Sequence, residues 1–177
     1  MASRYLIVID MQNDFVDGAL GTPEAQAIAP ALVDTARAFD GELLFTLDTH
    51  GDNYLATQEG AHLPVPHCIK GTPGWELIPA LAALQRERNA RIFEKPTFGS
   101  TELAHYLVQR NTEEPIESIE LVGVCTDICV VSNALLIKAA LPEVPVKVAP
   151  ALCAGVTPEA HEAALATMAS CQVEMAS

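Results

Sequence analysis

The chain has few basic residues. Only ten Lys and Arg stand against 23 Asp and Glu among 177 residues, which gives a formal net charge of -13. A surplus of negative charge repels the phosphates of nucleic acids and the headgroups of anionic lipids. The composition therefore disfavours a nucleic-acid partner or a role at a membrane surface.

The sequence also lacks an uninterrupted apolar stretch that could cross a bilayer. Its most apolar region, residues 128–152, is broken by an asparagine, charged residues and three prolines. A transmembrane helix needs about 20 consecutive apolar residues, so we expect no membrane span.

The first residues show no signal-peptide pattern, because Met-Ala-Ser-Arg leads straight into a short β-like run. The five cysteines are an odd number and suggest no disulfide framework. We therefore expect a reduced, cytoplasmic protein.

Short β-branched runs alternate along the chain with longer segments rich in Ala and Leu, without a repeat or a linker. This alternation predicts one domain over residues 1–177 with an α/β fold, in which helices cover both faces of a mostly parallel sheet of about six strands. The predicted strands cover residues 5–9, 42–49, 91–95, 118–124, 145–148 and 171–174, and the predicted helices cover residues 23–39, 75–88, 100–110, 127–140 and 158–169. The intervening segment 51–73 is too long for an ordinary connection, and its prolines favour an ordered functional loop.

Chemically active side chains follow the predicted strands. Asp10 ends the first, Asp48 and His50 the second, Lys95 the third, and the fourth runs into residues 123–129, which contain Cys125 and Cys129. Ligands bind at the carboxyl ends of parallel strands, so we expect these side chains to meet at one edge of the sheet.

Cys129 is the better candidate nucleophile of the two cysteines. It falls in the first turn of a predicted helix, where free N–H groups would favour a thiolate, whereas Cys125 precedes that helix. Asp10 could accept the thiol proton and Lys95 could hold the carboxylate in place. The alternatives are a cysteine that only packs in the core, a reversible disulfide, or a metal clip formed by both thiols.

Asp48 and His50 are two residues apart on a strand, so their side chains leave the same face and could bind one ion. His67 could complete the site and Glu59 could add a fourth ligand. This mixed set of nitrogen and oxygen ligands suits zinc, iron or manganese. An exposed hydrogen-bonded pair is the simpler alternative for Asp48 and His50.

Five motifs occur in the order in which a known family has them, from residue 4 to about residue 155. They are IDMQNDF from Ile9, LDTH from Leu47, PVPHC with GTPG from Pro64, KPTFG from Lys95, and GVCTDICV from Gly123. With them the chain resembles the isochorismatase-like cysteine hydrolases, and within these the nicotinamidase (pyrazinamidase) subgroup. The resemblance implies a three-layer α-β-α, Rossmann-like fold and a homo-oligomer, either dimer or tetramer.

The resemblance also implies roles for individual residues. The catalytic triad would be Asp10, Lys95 and Cys129, and the oxyanion hole would be formed by the backbone N–H groups of Cys125 and Cys129 beside a cis peptide bond. The implied metal ligands are Asp48, His50, His67 and, further, Glu59. The ion would be zinc, with iron or manganese as alternatives, and no organic cofactor is implied.

The substrate pocket is the part in which the chain departs from its relatives. Phe15 matches an aromatic wall, Phe98 could be another, and Val124 is a further candidate lining residue. Leu63 and Pro64 stand where several nicotinamidases have an aromatic residue. The departure bears on the substrate more than on the reaction.

The sequence thus predicts an enzyme that hydrolyses a small carboxamide through a thioester of cysteine, with nicotinamide as the leading substrate. The first alternative is an N-carbamoyl or ureido compound cleaved by the same residues. The second alternative is a redox sensor that uses Cys125 and Cys129.

Overall fold

The computed structural model describes residues 3–176 and contains one six-stranded sheet with helices on both faces. The strand order is β3-β2-β1-β4-β5-β6 and every neighbouring pair is parallel. The strands are β1 (Ser3–Ile9), β2 (Glu42–Asp48), β3 (Arg91–Lys95), β4 (Ile116–Val124), β5 (Val146–Ala154) and β6 (Glu174–Met175). The predicted α/β fold is confirmed, while the single domain over residues 1–177 stays a prediction.

The central strand shows why both faces of the sheet are covered. In β1, Tyr5, Ile7 and Ile9 belong to one buried cluster, and Leu6 and Val8 belong to the other. Alternate residues of a strand point to opposite faces, so a strand with apolar residues at every position must be packed on both sides.

Two layers of helices provide that packing. The helices are α1 (Asn13–Val16), α2 (Pro23–Ala38), α3 (Gln58–His62), α4 (Pro79–Glu87), α5 (Thr101–Glu113), α6 (Val131–Ala140) and α7 (Pro158–Ser170). Buried residues of α2 and α4 join the cluster on one face, and buried residues of α5, α6 and α7 join the cluster on the other. None of the helices within residues 3–176 is both long and apolar enough to span a bilayer.

Three predicted boundaries differ from the structure by more than three residues. The helix predicted from residue 75 starts only at Pro79, because Pro73–Trp75 forms a separate 3-10 turn. The strand predicted over residues 145–148 continues to Ala154 through a shift of register against β4. The helix predicted from residue 127 starts with a π-helical turn, Thr126–Val130, before α6 begins.

The strand order fixes where a site can form. From β1 the chain adds β2 and β3 on one side and later β4, β5 and β6 on the other. The direction in which strands are added therefore reverses between β1 and β4. Ligands bind at such a point, in the crevice outside the carboxyl ends of the strands. The side chains that follow β1 and β4 therefore face the same crevice.

Candidate active site

Three buried side chains meet at the carboxyl edge of the sheet. Lys95, at the end of β3, places its Nζ 2.6 Å from Asp10 Oδ2 and 3.3 Å from Cys129 Sγ. Asp10 follows β1, and Cys129 lies in the π-helical turn after β4. The structure thus brings together all three residues predicted as catalytic, and their roles remain proposals.

Asp10 is held by its backbone and by a neighbour that the sequence did not indicate. Its φ of 47° lies in the left-handed region, which Asp adopts more readily than most residues. The Thr46 hydroxyl donates to Asp10 Oδ1 at 2.6 Å and accepts from the Asp10 N–H at 3.2 Å. Burial raises the pKa of the Asp10 carboxyl, against the opposing effect of the Lys95 charge.

Cys129 does not have the stabilised thiolate that its place near a helix start suggested. Burial raises the pKa of its thiol well above the ordinary value, and the nearby charge of Asp10 adds to this despite Lys95. A thiol whose pKa is raised needs a proton acceptor before it can attack. The adjacent Asp10 carboxylate can serve as that acceptor.

Cys125 differs from Cys129 in both setting and geometry. The Val124–Cys125 peptide bond is cis, as the resemblance implied. The Cys125 carbonyl accepts from the N–H groups of Ile128 at 3.1 Å and Val130 at 3.0 Å, which closes the turn around Cys129. Burial raises the pKa of the Cys125 thiol to about 12, so this sulfur carries little thiolate at neutral pH.

The His161 side chain of α7 and a backbone N–H of the loop before that helix support the π-helical turn. The buried Thr126 hydroxyl lies 2.8 Å from His161 Nδ1, and Asp127 Oδ1 accepts from the Val156 N–H at 2.9 Å. The contact of His161 with Thr126, 35 residues away, cannot be read from local spacing. The turn that carries Cys129 is therefore fixed to the start of α7.

A buried asparagine fixes the same turn from α6. Asn133 Nδ2 donates to the carbonyls of Cys129 at 2.8 Å and Phe98 at 3.0 Å, and its Oδ1 accepts from the Ser100 N–H at 2.9 Å. The sequence analysis missed this residue as well. The signal for it was an amide one helical turn after Cys129 inside an otherwise apolar helix.

A second cluster of ligand-type side chains lies beside the triad. Asp48, His50, Glu59 and His67 each offer an atom within 4.8 Å of the others. Asp48 Oδ2 is 3.0 Å from His50 Nε2 and 3.4 Å from His67 Nε2. Because two imidazoles and two carboxylates converge here, the donor set fits a divalent metal ion.

The surroundings of the cluster orient its ligands. His67 Nδ1 lies 2.8 Å from the Val65 carbonyl, which favours the tautomer that leaves the Nε2 lone pair for a metal. Gln12 accepts from the Asp48 N–H at 2.8 Å and donates to the Asp48 carbonyl at 2.9 Å, so it fixes the backbone of this ligand. Gln12 lies inside the first motif, but its spacing alone gave no sign of this contact.

The charge of Asp48 suits a metal ligand. Burial opposes ionisation of this carboxyl, but hydrogen bonds from His50 and His67 and the Lys95 charge hold its pKa far below the usual range. Lys95 Nζ is 3.6 Å from Asp48 Oδ1. The metal cluster and the triad therefore share one buried cation.

A cavity of about 730 Å³ opens above both clusters. Cys125 and Cys129 reach it, as do Asp48, Glu59 and His67. Its apolar wall consists of Phe15, Leu20, Leu63, Phe98, Ile128 and Val156. Val124 was predicted to line the pocket and does not, because its side chain is buried in the core beneath the sheet edge.

The cavity has a marked charge bias. Among the described residues that line it there is no Lys or Arg, although Asp48 and Glu59 are present. An anionic substrate group would therefore meet no complementary side chain at the cavity surface.

The comparisons with known proteins agree with this geometry. Residues 4–177 match the family model described as the isochorismatase domain. The chain is 32% identical to a nicotinamidase/pyrazinamidase of Mycobacterium tuberculosis, with 97% of each chain covered. It is 30% identical to a nicotinamidase of Acinetobacter baylyi, with 73% of this chain and 72% of the relative covered.

Solved structures show the same fold. The nicotinamidase/pyrazinamidase of Bacillus subtilis superposes with a TM-score of 0.84 at 30% identity, over 99% of this chain and 100% of the other. The pyrazinamidase of Pyrococcus horikoshii, solved in complex with zinc, gives a TM-score of 0.81 at 29% identity, over 98% of each chain. Together with the family match, these likenesses show that the chain belongs to the isochorismatase domain family.

Proposed function

We propose that this enzyme hydrolyses nicotinamide to nicotinate and ammonia through a thioester on Cys129. The observation that carries the proposal is the position of Lys95 Nζ, which contacts both the Asp10 carboxylate and the Cys129 sulfur below the cavity. The nicotinamidase and pyrazinamidase names of the relatives support an amide as the substrate.

In the first step the Cys129 sulfur bonds to the carboxamide carbon while its proton passes to Asp10. Negative charge develops on the carboxamide oxygen. The backbone N–H groups of Cys125 and Cys129 are the proposed donors to that oxygen, and they are held in place before the reaction starts. Lys95 stays charged throughout. Burial alone would lower the pKa of its ammonium group, but the surrounding acidic groups raise this pKa by more, so that it lies far above neutral.

In the second step the carbon–nitrogen bond breaks and Asp10 returns the proton to the departing nitrogen, which leaves as ammonia. Water then attacks the thioester, with Asp10 accepting one of its protons. The carbon–sulfur bond breaks, the carboxylate product leaves, and the Cys129 thiol is restored by the proton from Asp10.

The metal site belongs to substrate positioning in this proposal. Asp48, His50, Glu59 and His67 would hold a divalent ion, for which zinc, iron and manganese are the candidates. When bound, such an ion supplies a ligand position for a lone pair of the substrate, such as that of a pyridine nitrogen. The zinc complex of the Pyrococcus horikoshii relative supports zinc.

The cavity disfavours the N-carbamoyl alternative. Carbamoyl amino acids carry a carboxylate, and outside the proposed metal site no Lys or Arg lines the described cavity to pair with it. The redox alternative is also less well supported, because burial raises the pKa of both Cys125 and Cys129 and the thiolate is the reactive form.

Ammonia release tests the proposal. Nicotinamide and pyrazinamide should be hydrolysed, and N-carbamoyl amino acids should be turned over at least about 100-fold more slowly, since each unpaired buried charge costs several kcal/mol. Turnover of the carbamoyl compounds without turnover of the pyridine amides would overturn it. Assembly into a dimer or tetramer and a cytoplasmic location stay predictions, and light scattering tests the first.

A further inference from the structure

We propose that the cavity accepts neutral aromatic carboxamides with an apolar substituent on the ring, and that Leu63, Phe98 and Val156 select that substituent. The inference rests on the proposed amidase function and extends it from a single amide to a substrate class.

The first argument is size. The cavity volume is about 730 Å³. Cavities of about 300–1,000 Å³ enclose most of a drug-sized ligand. A single pyridine ring with its carboxamide is much smaller than such a ligand. Bound above Cys129, it would leave the outer part of the cavity unfilled.

The second argument is the chemistry of that outer part. Leu63, Phe98 and Val156 come from three separate segments and are 38%, 46% and 51% exposed. Leu20 and Ile128 continue the apolar wall inwards. An apolar substituent that reached the three exposed side chains would remove their surface and its own from water, which favours binding.

The third argument is that the polar side chains that line the cavity outside the metal cluster, except that of the exposed Gln58, already have partners in the protein. His62 Nδ1 lies 2.8 Å from the Gln58 carbonyl, and the Thr97 hydroxyl donates to the Gly99 carbonyl at 2.8 Å. The Thr22 hydroxyl accepts from the Ala25 N–H at 3.0 Å and caps α2. The apolar side chains are therefore the main surface that a substituent can use.

The fourth argument is charge. The cavity has Asp48 and Glu59 but neither Lys nor Arg among its described lining residues. A substituent that carries a carboxylate and lies in the outer part of the cavity, away from the proposed metal ligands Asp48 and Glu59, would find no Lys or Arg and would lose its hydration. The substrate class is consequently neutral.

The test compares nicotinamide with nicotinamides that carry methyl, propyl or phenyl meta or para to the carboxamide. At least one phenyl compound should show kcat/KM within about tenfold of that for nicotinamide, since apolar pockets discriminate by about 10- to 200-fold for each misfitted group. If every phenyl compound lies further below nicotinamide than that, the inference is wrong.

Variants test whether the exposed apolar side chains of the cavity select the ring substituent. Val156→Trp and Leu63→Trp fill the outer cavity and should each lower the ratio of phenyl-compound to nicotinamide kcat/KM by about tenfold or more. The matched control is Val108→Trp on α5, a 36% exposed apolar position that does not line the cavity, and it should leave the ratio as in wild type. A smaller change in both cavity variants, or an equal change in the control, overturns the assignment.

The two proposals fail in different ways. If nicotinamide is hydrolysed and no phenyl compound is, only the inference about the substrate class fails. If neither is hydrolysed by folded protein, the proposed function fails and the inference falls with it.

Discussion

The two edges of the sheet both carry charged side chains, but they hold them in opposite ways. At the carboxyl edge Asp10 and Lys95 are at most 1% exposed and pair with each other. At the amino edge a cavity of about 600 Å³ is lined by Arg4, Arg88 and Arg91, all of which are exposed. Their partners are local carbonyls and surface carboxylates.

The difference explains why the carboxyl edge, and not the amino edge, is the candidate reaction site. A buried charge is costly unless it is paired, and its interactions are strong because water does not screen them. An exposed ion pair contributes about 0–1 kcal/mol. Among the described residues that line the cavity at the amino edge, the guanidinium groups are exposed and bind carbonyls and surface carboxylates, and no buried pair like that of Asp10 and Lys95 is present.

The largest expected effect comes from breaking the buried pair. Asp10→Asn removes the proton acceptor, which should lower kcat by about 10²–10⁴-fold. It also leaves Lys95 buried without its main partner, which should cost about 3–5 kcal/mol of unfolding free energy. Ammonia release and urea unfolding measure the two effects.

The same substitution at the other edge is the matched control. Asp40 pairs with Arg4 at 3.5 Å and is fully exposed. Asp40→Asn should change the unfolding free energy by less than about 1 kcal/mol and leave kcat near wild type. Similar losses in both variants would contradict the distinction between the edges.

The next effect concerns the metal cluster. His67→Ala should lower the amount of metal bound per protein and reduce kcat/KM for nicotinamide by about 10- to 100-fold. Treatment of the wild type with a chelator should have the same two effects. Metal analysis of the purified proteins provides the direct readout. His105→Ala, at an exposed position on α5, should change neither quantity, and unaltered metal content in His67→Ala would contradict the ligand assignment.

Acid should release the metal because protons compete for the same nitrogen. Burial works against protonation of His67, but its hydrogen bonds to Asp48 and Val65 and the negative charges of Asp48 and Glu59 together outweigh burial and raise its pKa. Protonation therefore competes with metal at a higher pH than for a free imidazole, and metal affinity should fall as the pH drops through that raised pKa. Metal affinity that is flat from neutral to acidic pH would contradict this.

A smaller effect is expected from the contact between the π-helical turn and α7. Thr126→Val and His161→Ala should each lower kcat by about tenfold with little change in KM, because a slight misplacement of the turn affects the transition state more than binding. The double variant should lose no more than either single one. His161→Asn, which keeps a polar atom near Nδ1, should restore part of kcat, and fully additive losses would contradict the coupling.

The smallest effect belongs to the amino edge. Arg91 pairs with Glu102 at 3.3 Å and its guanidinium lies over the rings of Phe93 and Tyr106 at 4.8 and 4.7 Å. Arg91→Ala should cost about 1 kcal/mol of unfolding free energy and leave kcat/KM unchanged. A large loss of activity would show that the amino edge takes part in the reaction.

The sequence predicted the fold because apolar runs in β1 and β2 and the strand-helix alternation are local signals. It also predicted the family, which the family match confirms, and an amide-hydrolysing enzyme, which the named relatives support. Asp10, Asp48, His50, Lys95 and Cys129 became candidates because each ends or follows a strand, and parallel strands bring their carboxyl ends to one edge. Glu59 and His67 come instead from the connecting segment 51–73.

What the sequence could not predict are contacts set by tertiary structure. Thr46, Asn133 and His161 act through partners from other segments of the chain. The raised pKa of Cys129 likewise depends on burial by surrounding elements, which outweighs the local effect of the helix start. Val124 was misassigned because its neighbour Cys125 reaches the cavity while its own side chain points into the core.

The central claim is that the two cysteines of the turn have different tasks. Cys129 forms the thioester, whereas Cys125 contributes only its backbone N–H. Ammonia release from nicotinamide by Cys129→Ala and Cys125→Ala tests this most directly. The activity of Cys129→Ala should fall by at least about 10³-fold, towards the background, because the substitution removes the sulfur that contacts Lys95 beside Asp10. The activity of Cys125→Ala should stay within about tenfold of that of the wild type, because alanine keeps the backbone N–H donor. Activity that survives in Cys129→Ala, or an equal loss in both variants, would contradict the account.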